Sequence, residues 1–232
     1  MRTLSTERLE LIDALVSEAN IGGVTAGLLE KDEHLTAALQ AVFALKFEHA
    51  SLVFCGGTSL SKAHGLIERM SEDADIKIVL SHDTANWSQN QLRHYLGDEI
   101  RAQVIKALEA IGLVEDEDSR RSLNNNRYIH SQWTYQRVYE GIASLRPNLQ
   151  LELTARVPIR PTETASLGTL TDKLAGREGS TFSVPVVSAA ETLAEKVLSF
   201  LRRFAQHRSG KMQQAWDSNL AAPKSFKVPF SK

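Results

Sequence analysis

Two short motifs carry the residue types best suited to chemistry, and the first is Gly56-Gly57-Thr58-Ser59. Glycines let the backbone turn sharply and approach a ligand closely, because no Cβ intrudes. A helix that starts behind such a turn presents free N–H groups and the positive end of its dipole, which suits a phosphate. The two hydroxyls add hydrogen-bond donors. The motif therefore indicates a phosphate-binding turn.

The second motif is the pair Asp73 and Asp75, which alternates with Ala74, Ile76 and Ile78. This alternation is typical of a strand with one buried face, so both carboxylates point to the other face. A divalent cation would relieve their repulsion, and hard oxygen ligands favour Mg²⁺. Two metal ions about 3.5–4 Å apart clamp the attacking and leaving oxygens of an in-line displacement. The pair predicts a site for two Mg²⁺ ions.

A third carboxylate often completes a site of this kind, and Glu152 is our candidate. It lies on the polar side of a predicted strand, 149–157, whose other side carries three leucines. If this strand neighbours the one with Asp73 and Asp75, the three carboxylates converge. A solvated glutamate is an equally good interpretation from the residues alone.

Each motif has a commoner explanation when it is taken alone. Most Gly-Gly pairs are simple turns, and most isolated Asp-x-Asp pairs lie on solvated strand edges. The turn is not a Walker A loop, because Lys62 is neither preceded by glycine nor followed by Ser or Thr. The informative signal is the order of a strand, the glycine turn, a helix and the Asp-x-Asp strand.

The remaining pattern predicts the elements that position these motifs. Helices are expected from Ser5 or Thr6 to the Gly22-Gly23 break, along 35–43, from Thr58, over 89–111 with a stop at Gly112, and from the Ser188–Glu191 capping box. Strands are expected over 51–55, 74–80, 129–139 and 149–157, the last two pairing as an antiparallel hairpin of open register. The order of elements predicts an α+β fold.

Composition and charge exclude few classes of function. The 232 residues are 42% hydrophobic and 24% charged, which is enough for one sizeable core, and a net charge of −1 gives no global attraction to nucleic acid. No apolar run approaches the length of about 20 residues that a membrane span needs. The lone Cys55 and the charged N-terminus favour a reducing, cytoplasmic location without membrane contact.

The C-terminal part is basic. From Lys196 onward the chain carries eight lysines and arginines against a single acid, Asp217. A solvated face is the more common explanation of such a stretch, and nucleic-acid contact is the alternative.

Residues 54–76 (FCGGTSLSKAHGLIERMSEDADI) closely resemble the AbiEii/AbiGii toxin family, a branch of the DNA polymerase β-like nucleotidyltransferases. Looser resemblance extends from Leu28 to Leu220. The resemblance implies a small mixed β-sheet core with flanking helices and a helical C-terminal part. It also implies Mg²⁺-dependent transfer of a nucleoside monophosphate from an NTP. Relatives act as toxins of toxin–antitoxin or phage-defence systems beside a winged-helix antitoxin of the AbiEi kind.

With this resemblance we divide the chain into N-terminal helices that pack on the core (1–50), a nucleotidyltransferase core (51–187), and a C-terminal helix with an irregular basic tail (188–232). The apolar stripe of the C-terminal helix is expected at Leu193, Val197, Leu201 and Phe204.

The resemblance also assigns roles residue by residue. Expected nucleotide-binding residues are Gly56, Gly57, Thr58, Ser59, Lys62 and Arg69. Expected catalytic residues are Asp73, Asp75, Glu152 and Lys196, of which the three carboxylates hold metal. Without the resemblance, Lys196 would be taken as a solvated lysine, and Arg69 as a partner of Glu72.

Three further residues have two interpretations each. His64, after the glycine turn, is expected to be a packing or hydrogen-bonding histidine rather than a base. Trp133 and Tyr135 have the chemistry to stack on a base, but strand aromatics more often belong to the core.

The sequence departs from the family pattern in two places. Position 55 is Cys where the family often has Lys. After Leu220 the resemblance gives way to a tail, 221–232, with two prolines and no acid, where the family has a Tyr-Asp-Leu-like element whose Asp supports the site. We interpret this tail as a replaced or truncated end that weakens catalysis, since Asp217 lies too early to substitute.

Three functions remain open from the sequence. The first is a toxin that modifies RNA, tRNA in particular. The second is nucleotidylation of a small molecule. The third is a non-catalytic nucleotide-binding partner retained for its interaction with an antitoxin.

Overall fold

Seven strands form one mixed sheet in the order β3-β4-β5-β2-β1-β7-β6. The computed structural model describes residues 1–18, 23–67, 73–140 and 145–208. The strands are β1 (Ala50–Cys55), β2 (Asp73–Leu80), β3 (Val114–Leu123), β4 (Tyr128–Thr134), β5 (Leu149–Ala155), β6 (Glu163–Leu167) and β7 (Phe182–Val186). The predicted α+β class with a mixed sheet and flanking helices is confirmed.

The helices are α1 (Thr6–Glu18), α2 (Ala26–Phe43), α3 (Gly56–Lys62), α4 (Gln89–His94), α5 (Ala102–Ala110), α6 (Leu170–Leu174) and α7 (Ala189–Arg208), with a 3₁₀ turn at His82–Asn86 and a π-helical stretch at Tyr95–Arg101 that joins α4 to α5. In the described ranges no helix is both long and apolar enough to cross a bilayer.

Strand β2 lies at the centre of the sheet. It pairs antiparallel with β1 and parallel with β5, and β5 pairs antiparallel with β4. The predicted hairpin of β4 and β5 is therefore confirmed, with a register that runs from Tyr128 opposite Thr154 to Trp133 opposite Leu149. The side of the sheet that carries Trp133 packs with α2 and α5 in the main hydrophobic core.

Strand β4 is shorter than predicted, because it ends at Thr134 rather than at Tyr139. The backbone beyond it has other partners: the N–H groups of Val138 and Tyr139 donate to the buried carboxylate of Glu30, at 2.7 and 3.3 Å. Strands β3, β6 and β7 lie in segments where no strand was predicted. The ten residues of β3 are mostly polar and none of them is buried, so they lack the alternation that identifies a strand.

The helical region from α4 to α5 matches the prediction, including its end. Gly112 has a φ of +83°, and the N–H of Leu113 donates to the carbonyl of Leu108 at 3.1 Å. This left-handed glycine and 6→1 hydrogen bond are those of a Schellman motif. The element turns the chain back toward the sheet at β3.

Helix α2 contains five consecutive buried polar residues, Glu30–His34. Lys31 Nζ donates to the carbonyl oxygen of Arg146 at 2.9 Å. Glu33 forms an ion pair with Arg8 of α1. These contacts connect α2 to α1 and to the segment before β5.

The last of these residues, His34, is fully buried and stacks on Tyr135 with ring centroids 4.0 Å apart. Neither of its ring nitrogens has a hydrogen-bond partner. Burial, with a smaller contribution from the positive charge of Arg2, lowers the pKa of His34 to about 3. The ring is therefore neutral at ordinary pH.

The chain forms two compact units, residues 1–192 and 193–232. In the second unit the described part is the continuation of α7, and its large apolar side chains are exposed: Leu193, Val197, Leu198, Phe200, Leu201 and Phe204. The predicted helix is present, and its apolar stripe is on the surface.

Candidate active site

Strand β2 presents Asp73 and Asp75 on one face of the sheet. The two residues are partly exposed, whereas Ala74 and Ile76 between and after them are buried in the main core. The alternation predicted from the sequence therefore places both carboxylates at the surface of the same face.

A row of polar side chains crosses the sheet at the level of Asp75. The strand register aligns it with Cys55 of β1 on one side and with Glu152 of β5 on the other, and it continues to His130 of β4. Residues paired in this way point to the same face, on strands about 4.8 Å apart. Asp75 and Glu152 are thus side by side.

Two neighbours on β4 contact Glu152. His130 Nδ1 lies 3.6 Å from a carboxylate oxygen of Glu152, and the hydroxyl of Tyr128 is hydrogen-bonded to the same carboxylate. Burial, together with the negative charges of Glu152 and Asp75, raises the pKa of the Tyr128 phenol. The phenol keeps its proton and serves Glu152 as a hydrogen-bond donor.

Asp73 is bound by an arginine from the loop before β5. Arg146 Nη1 lies 3.2 Å from Asp73 Oδ1 and also donates to the side chain of Gln150. The buried Lys31 donates to the carbonyl of Arg146 and so holds the backbone at this residue. A positive charge therefore already accompanies the first carboxylate of the pair.

Gly56 begins α3 directly beside Asp75. Its φ is +77°, and a Cβ built on it would lie 1.7 Å from Asp75 Oδ2. No side chain fits there without displacing the carboxylate. The sequence predicts that a ligand approaches the glycine turn closely. At Gly56 the group in close contact is the Asp75 carboxylate.

The two hydroxyls after the glycines are buried and directed inward. Thr58 Oγ1 donates to the carbonyl oxygen of Asp73, and Ser59 Oγ donates to that of Gly56 at 2.8 Å. These hydrogen bonds connect α3 to β2 and hold the turn against the carboxylates.

Lys62, at the end of α3, forms a buried ion pair with Asp32 of α2. The Nζ–Oδ1 distance is 2.6 Å, and both side chains are less than one-tenth exposed. The other carboxylate oxygen of Asp32 accepts the N–H of Leu170 at 2.6 Å. The contact gives Lys62 a structural role, and its predicted contact with nucleotide stays a prediction.

The model of the family described as nucleotidyl transferase AbiEii toxin, type IV toxin–antitoxin system, matches residues 37–229. The chain belongs to this family. The family predicted from residues 54–76 is thereby confirmed, and it is a family of nucleotidyltransferases.

Among solved structures, the chain is similar to MenT4, a nucleotidyltransferase toxin from Mycobacterium tuberculosis, with a TM-score of 0.47 and 20% identity. The match covers 84% of this chain and 58% of MenT4, so the chain spans a little over half the length of that relative. No curated protein matches the chain.

The resemblance implies a divalent cation at this site, and the oxygen ligands present are of the kind that such a cation prefers. Asp73 and Asp75 offer oxygen ligands on one face, with Glu152 beside Asp75. Throughout the described residues, no three His, Cys, Asp or Glu side chains are gathered closely enough to hold a metal by themselves. Mg²⁺ is commonly held by one or two carboxylates with substrate phosphates and water, so the two aspartates fit it.

A buried ion pair that the sequence analysis did not single out lies beside these carboxylates. Lys77 follows Asp75 on the same face of β2, and its Nζ lies 3.1 Å from Glu191 at the start of α7. Glu191 also accepts the N–H groups of Ile159 and Arg160. Burial acts to raise the pKa of Glu191, but these N–H groups and Lys77 outweigh it, and the pKa is lowered.

This arrangement corrects the predicted capping box at the start of α7. Ser188 Oγ accepts the N–H of Glu191 at 3.4 Å, as predicted. The Glu191 carboxylate does not return to the backbone of Ser188, because Lys77 and the loop after β5 occupy it. Only half of the box is formed.

The remaining predicted residues lie in different surroundings. Arg69 lies outside the described residues. Lys196 is an exposed residue of α7 in the second unit, and its contact with phosphate stays a prediction. His64 Nε2 is 2.9 Å from the carbonyl oxygen of Val187, as expected for a hydrogen-bonding histidine. Trp133 and Tyr135 are in the core, which settles their interpretation.

Sequence reasoning missed Tyr128, His130, Lys77 and Arg146. For three of them a signal was present: Lys77 continues the alternation of Asp73 and Asp75, and Tyr128 and His130 alternate with buried residues of β4. Arg146 gave none, because only the fold brings its loop to Asp73.

Proposed function

We propose that this chain is a Mg²⁺-dependent nucleotidyltransferase that transfers a nucleoside monophosphate from an NTP to a hydroxyl of RNA, tRNA in particular, as the toxin of a toxin–antitoxin or phage-defence system. The observation that carries the proposal is the alignment of Asp75 with Glu152, beside the turn at Gly56, in a member of the AbiEii family.

In the proposed reaction the acceptor oxygen attacks the α-phosphorus, the bond from that phosphorus to the bridging oxygen breaks, pyrophosphate leaves, and the hydroxyl proton passes to water. Asp73 and Asp75 would hold the two Mg²⁺ ions, which would neutralise charge on the phosphates and align the two oxygens. Glu152, paired beside Asp75, is the proposed third carboxylate of the site. The contacts of Gly57 and Ser59 with the triphosphate, and separately that of Lys196, stay predictions.

An RNA acceptor is supported by the basic character of the C-terminal part of the sequence. Eight lysines and arginines against one acid from Lys196 onward give this part a positive charge within a chain of net charge −1. A concentration of positive charge in one part of the chain favours binding of a polyanion over a neutral small molecule.

The direct test uses purified protein with Mg²⁺, each α-labelled NTP in turn, and total tRNA. Labelled tRNA is expected from the wild type. The double variant Asp73→Ala/Asp75→Ala is expected to transfer nothing, and Asp118→Ala, an exposed acid of β3, to transfer normally. Label on a small molecule, or nucleotide binding without transfer, would contradict the proposal.

The family description also supports an antitoxin partner, which we propose to be a winged-helix protein of the AbiEi kind encoded beside this chain. Expression of the chain alone is expected to arrest growth, and expression with the neighbouring protein to restore it. Arrest by the Asp73→Ala/Asp75→Ala variant would separate toxicity from nucleotide transfer.

A further inference from the structure

An open cleft of about 680 Å³ lies at the end of β4 and β5, beyond the row of carboxylates. Tyr128 and Thr154, which are opposite each other on the two strands, lie in its wall, and Arg127 and Arg156 flank them. Its volume is within the range of small-ligand sites, so it can hold a nucleotide unit.

The cleft is connected to the carboxylates by Tyr128. Tyr128 and Thr154 are each two residues from a member of the row, His130 and Glu152, and therefore point to the same face of the sheet. The Tyr128 hydroxyl is hydrogen-bonded to Glu152 while its ring lines the cleft. The side chain of Tyr128 therefore contacts both the Glu152 carboxylate and any molecule bound in the cleft.

The cleft is positively charged, whereas Asp75 and Glu152 beside it are negatively charged. Two arginines, Arg127 and Arg156, are among its lining residues, and no acid is. The side chain of Arg121 lies close enough to Tyr128 for its charge to act on the phenol. Arginine recognises phosphate through paired, geometrically matched hydrogen bonds. The cleft is therefore suited to a phosphate-bearing ligand.

Part of the cleft wall is fixed by the backbone. Asn124, Asn125 and Asn126 all have positive φ, between 52° and 64°, and the amide of Asn126 donates to the carbonyl of Arg93 at 2.8 Å. The N–H of Ala155 donates to the carbonyl of Arg127 at 2.7 Å. The backbone that carries Arg127 is held before any ligand arrives, which reduces the entropy that binding would cost.

The direction of the proposed reaction decides which substrate occupies the cleft. In an in-line displacement the attacking and leaving oxygens lie on opposite sides of the phosphorus. The predicted triphosphate site, at the turn after Cys55, is on one side of Asp75, and His130 is on the other. With the triphosphate at this predicted site, the pyrophosphate would leave toward β1 and the acceptor would approach from the side of β4, where the cleft lies.

We propose that this cleft binds the sugar–phosphate strand of the acceptor RNA, with Arg127 and Arg156 on phosphates next to the hydroxyl that receives the nucleotide. Tyr128 positions Glu152 relative to that strand. The inference rests on the proposed function for the identity of the reaction, and on the cleft itself for the binding of RNA.

The experiment compares the wild type, Arg127→Gln/Arg156→Gln, and the control Arg177→Gln. Arg177 is exposed and follows α6, which leads to the opposite edge of the sheet. Binding of a fluorescein-labelled single-stranded RNA and of tRNA is measured by anisotropy at several salt concentrations. The double variant is expected to bind at least about tenfold more weakly, with a salt slope smaller by about 1.4, since each phosphate contact to a single strand contributes about 0.7. The control is expected to match the wild type.

In the transfer assay the double variant is expected to raise KM for RNA at least about tenfold and to leave KM for the NTP unchanged. Arg156→Glu, at an exposed position, tests the same point with less risk to folding and is expected to weaken RNA binding further. An increase in KM for the NTP instead would assign the cleft to the nucleotide and overturn the proposal, as would unchanged RNA binding in both variants.

The two proposals fail in distinguishable ways. If the wild type transfers nothing to RNA, the proposed function fails, yet weaker anisotropy binding of the arginine variants would still support the cleft. If the wild type labels tRNA and the arginine variants bind and label it equally well, only the cleft is refuted.

Discussion

Two charged runs of this chain resemble each other in sequence and differ in their surroundings. In α2, Glu30–His34 are all buried, and the carboxylates are bound by lysine, arginine or backbone N–H groups from other elements. In β2, Asp73 and Asp75 remain partly exposed on one face, with Glu152 as a further carboxylate beside them. The first run connects elements, whereas the second concentrates negative charge where a ligand can reach it.

The difference shows that density of charge is a poor guide to function. Removal of one partner from a buried ion pair leaves an uncompensated charge and costs about 3–5 kcal/mol. Partly exposed carboxylates contribute much less to folding, since water screens them. Substitutions in α2 should therefore affect the free energy of unfolding, and substitutions around β2 should affect nucleotide transfer.

The largest effect is expected from Asp32→Asn in α2. The substitution leaves Lys62 buried without a countercharge, and we expect the free energy of unfolding to fall by about 3–5 kcal/mol. Urea denaturation followed by circular dichroism measures it, with exposed Asp118→Asn as the control. A loss below 1 kcal/mol would show that the charges of α2 contribute no more to folding than the partly exposed carboxylates of β2, and would contradict the contrast drawn between them.

Gly56→Ala, beside β2, should lower the rate of nucleotide transfer more than the free energy of unfolding. The new Cβ would overlap the Asp75 carboxylate, and a displacement of about 1 Å costs roughly a hundredfold in rate. Gly65→Ala is the matched control, because Gly65 also has a positive φ, +62°, but has no atom within 4 Å of a built Cβ. Both variants place an alanine at a positive φ, but only the first meets a neighbouring atom, so only the first should lose kcat. Equal losses would attribute the effect to strain.

The buried imidazole of α2 predicts a pH dependence. The pKa of His34 is about 3 when folded and 6.5 when unfolded, so the unfolded chain alone takes up the proton between these values. Stability should therefore fall as pH decreases from 6.5 toward 3, by about 1.4 kcal/mol per unit, or about 2 kcal/mol at pH 5.

In His34→Phe this contribution should be absent, because phenylalanine has no group that titrates. The substitution removes no hydrogen bond, since neither ring nitrogen of His34 has a hydrogen-bond partner. Denaturation at pH 7 and pH 5 measures it, with exposed His82→Phe as the control. An unchanged pH slope in His34→Phe would assign the acid sensitivity to other groups.

The smallest effect is expected from Arg146→Gln. The guanidinium competes with a cation for Asp73, and the pair is only partly buried, with side chains 45% and 38% exposed. An exposed pair contributes about 0.2–1 kcal/mol, so half-saturation by Mg²⁺ should fall by up to about fivefold. Calorimetric titration of Mg²⁺ with a non-hydrolysable NTP measures it. A rise would make Arg146 a contributor to ligand binding.

The sequence predicted best where a local pattern determines the structure. The alternation around Asp73 and Asp75 and the stop at Gly112 depend on neighbouring residues, and both were predictable. Glu152 was placed on the polar side of its strand correctly, but its position beside Asp75 required the parallel pairing of β2 with β5, which no local pattern reveals.

The errors have physical causes of the same kind. Strand β4 ends early because the backbone beyond it bonds to distant acceptors, the Arg2 carbonyl and the Glu30 carboxylate. The capping box at Ser188 is incomplete because Lys77 binds the Glu191 carboxylate. The cleft could not be anticipated, since Arg127 precedes β4 and Arg156 follows β5, and only the pairing of these two strands brings the arginines together.

The position of Cys55 gives the site an intrinsic chemical reporter. It is the sole cysteine of the chain, it is buried, and it pairs with Asp75 across β1 and β2. A thiol reagent can reach it only when this part of the sheet opens, so its modification rate measures the free energy of local opening. Ligands that bind at the carboxylates should slow the modification, and ligands of the second unit alone should not. Wild-type protein can thus report occupancy of the site without an added label.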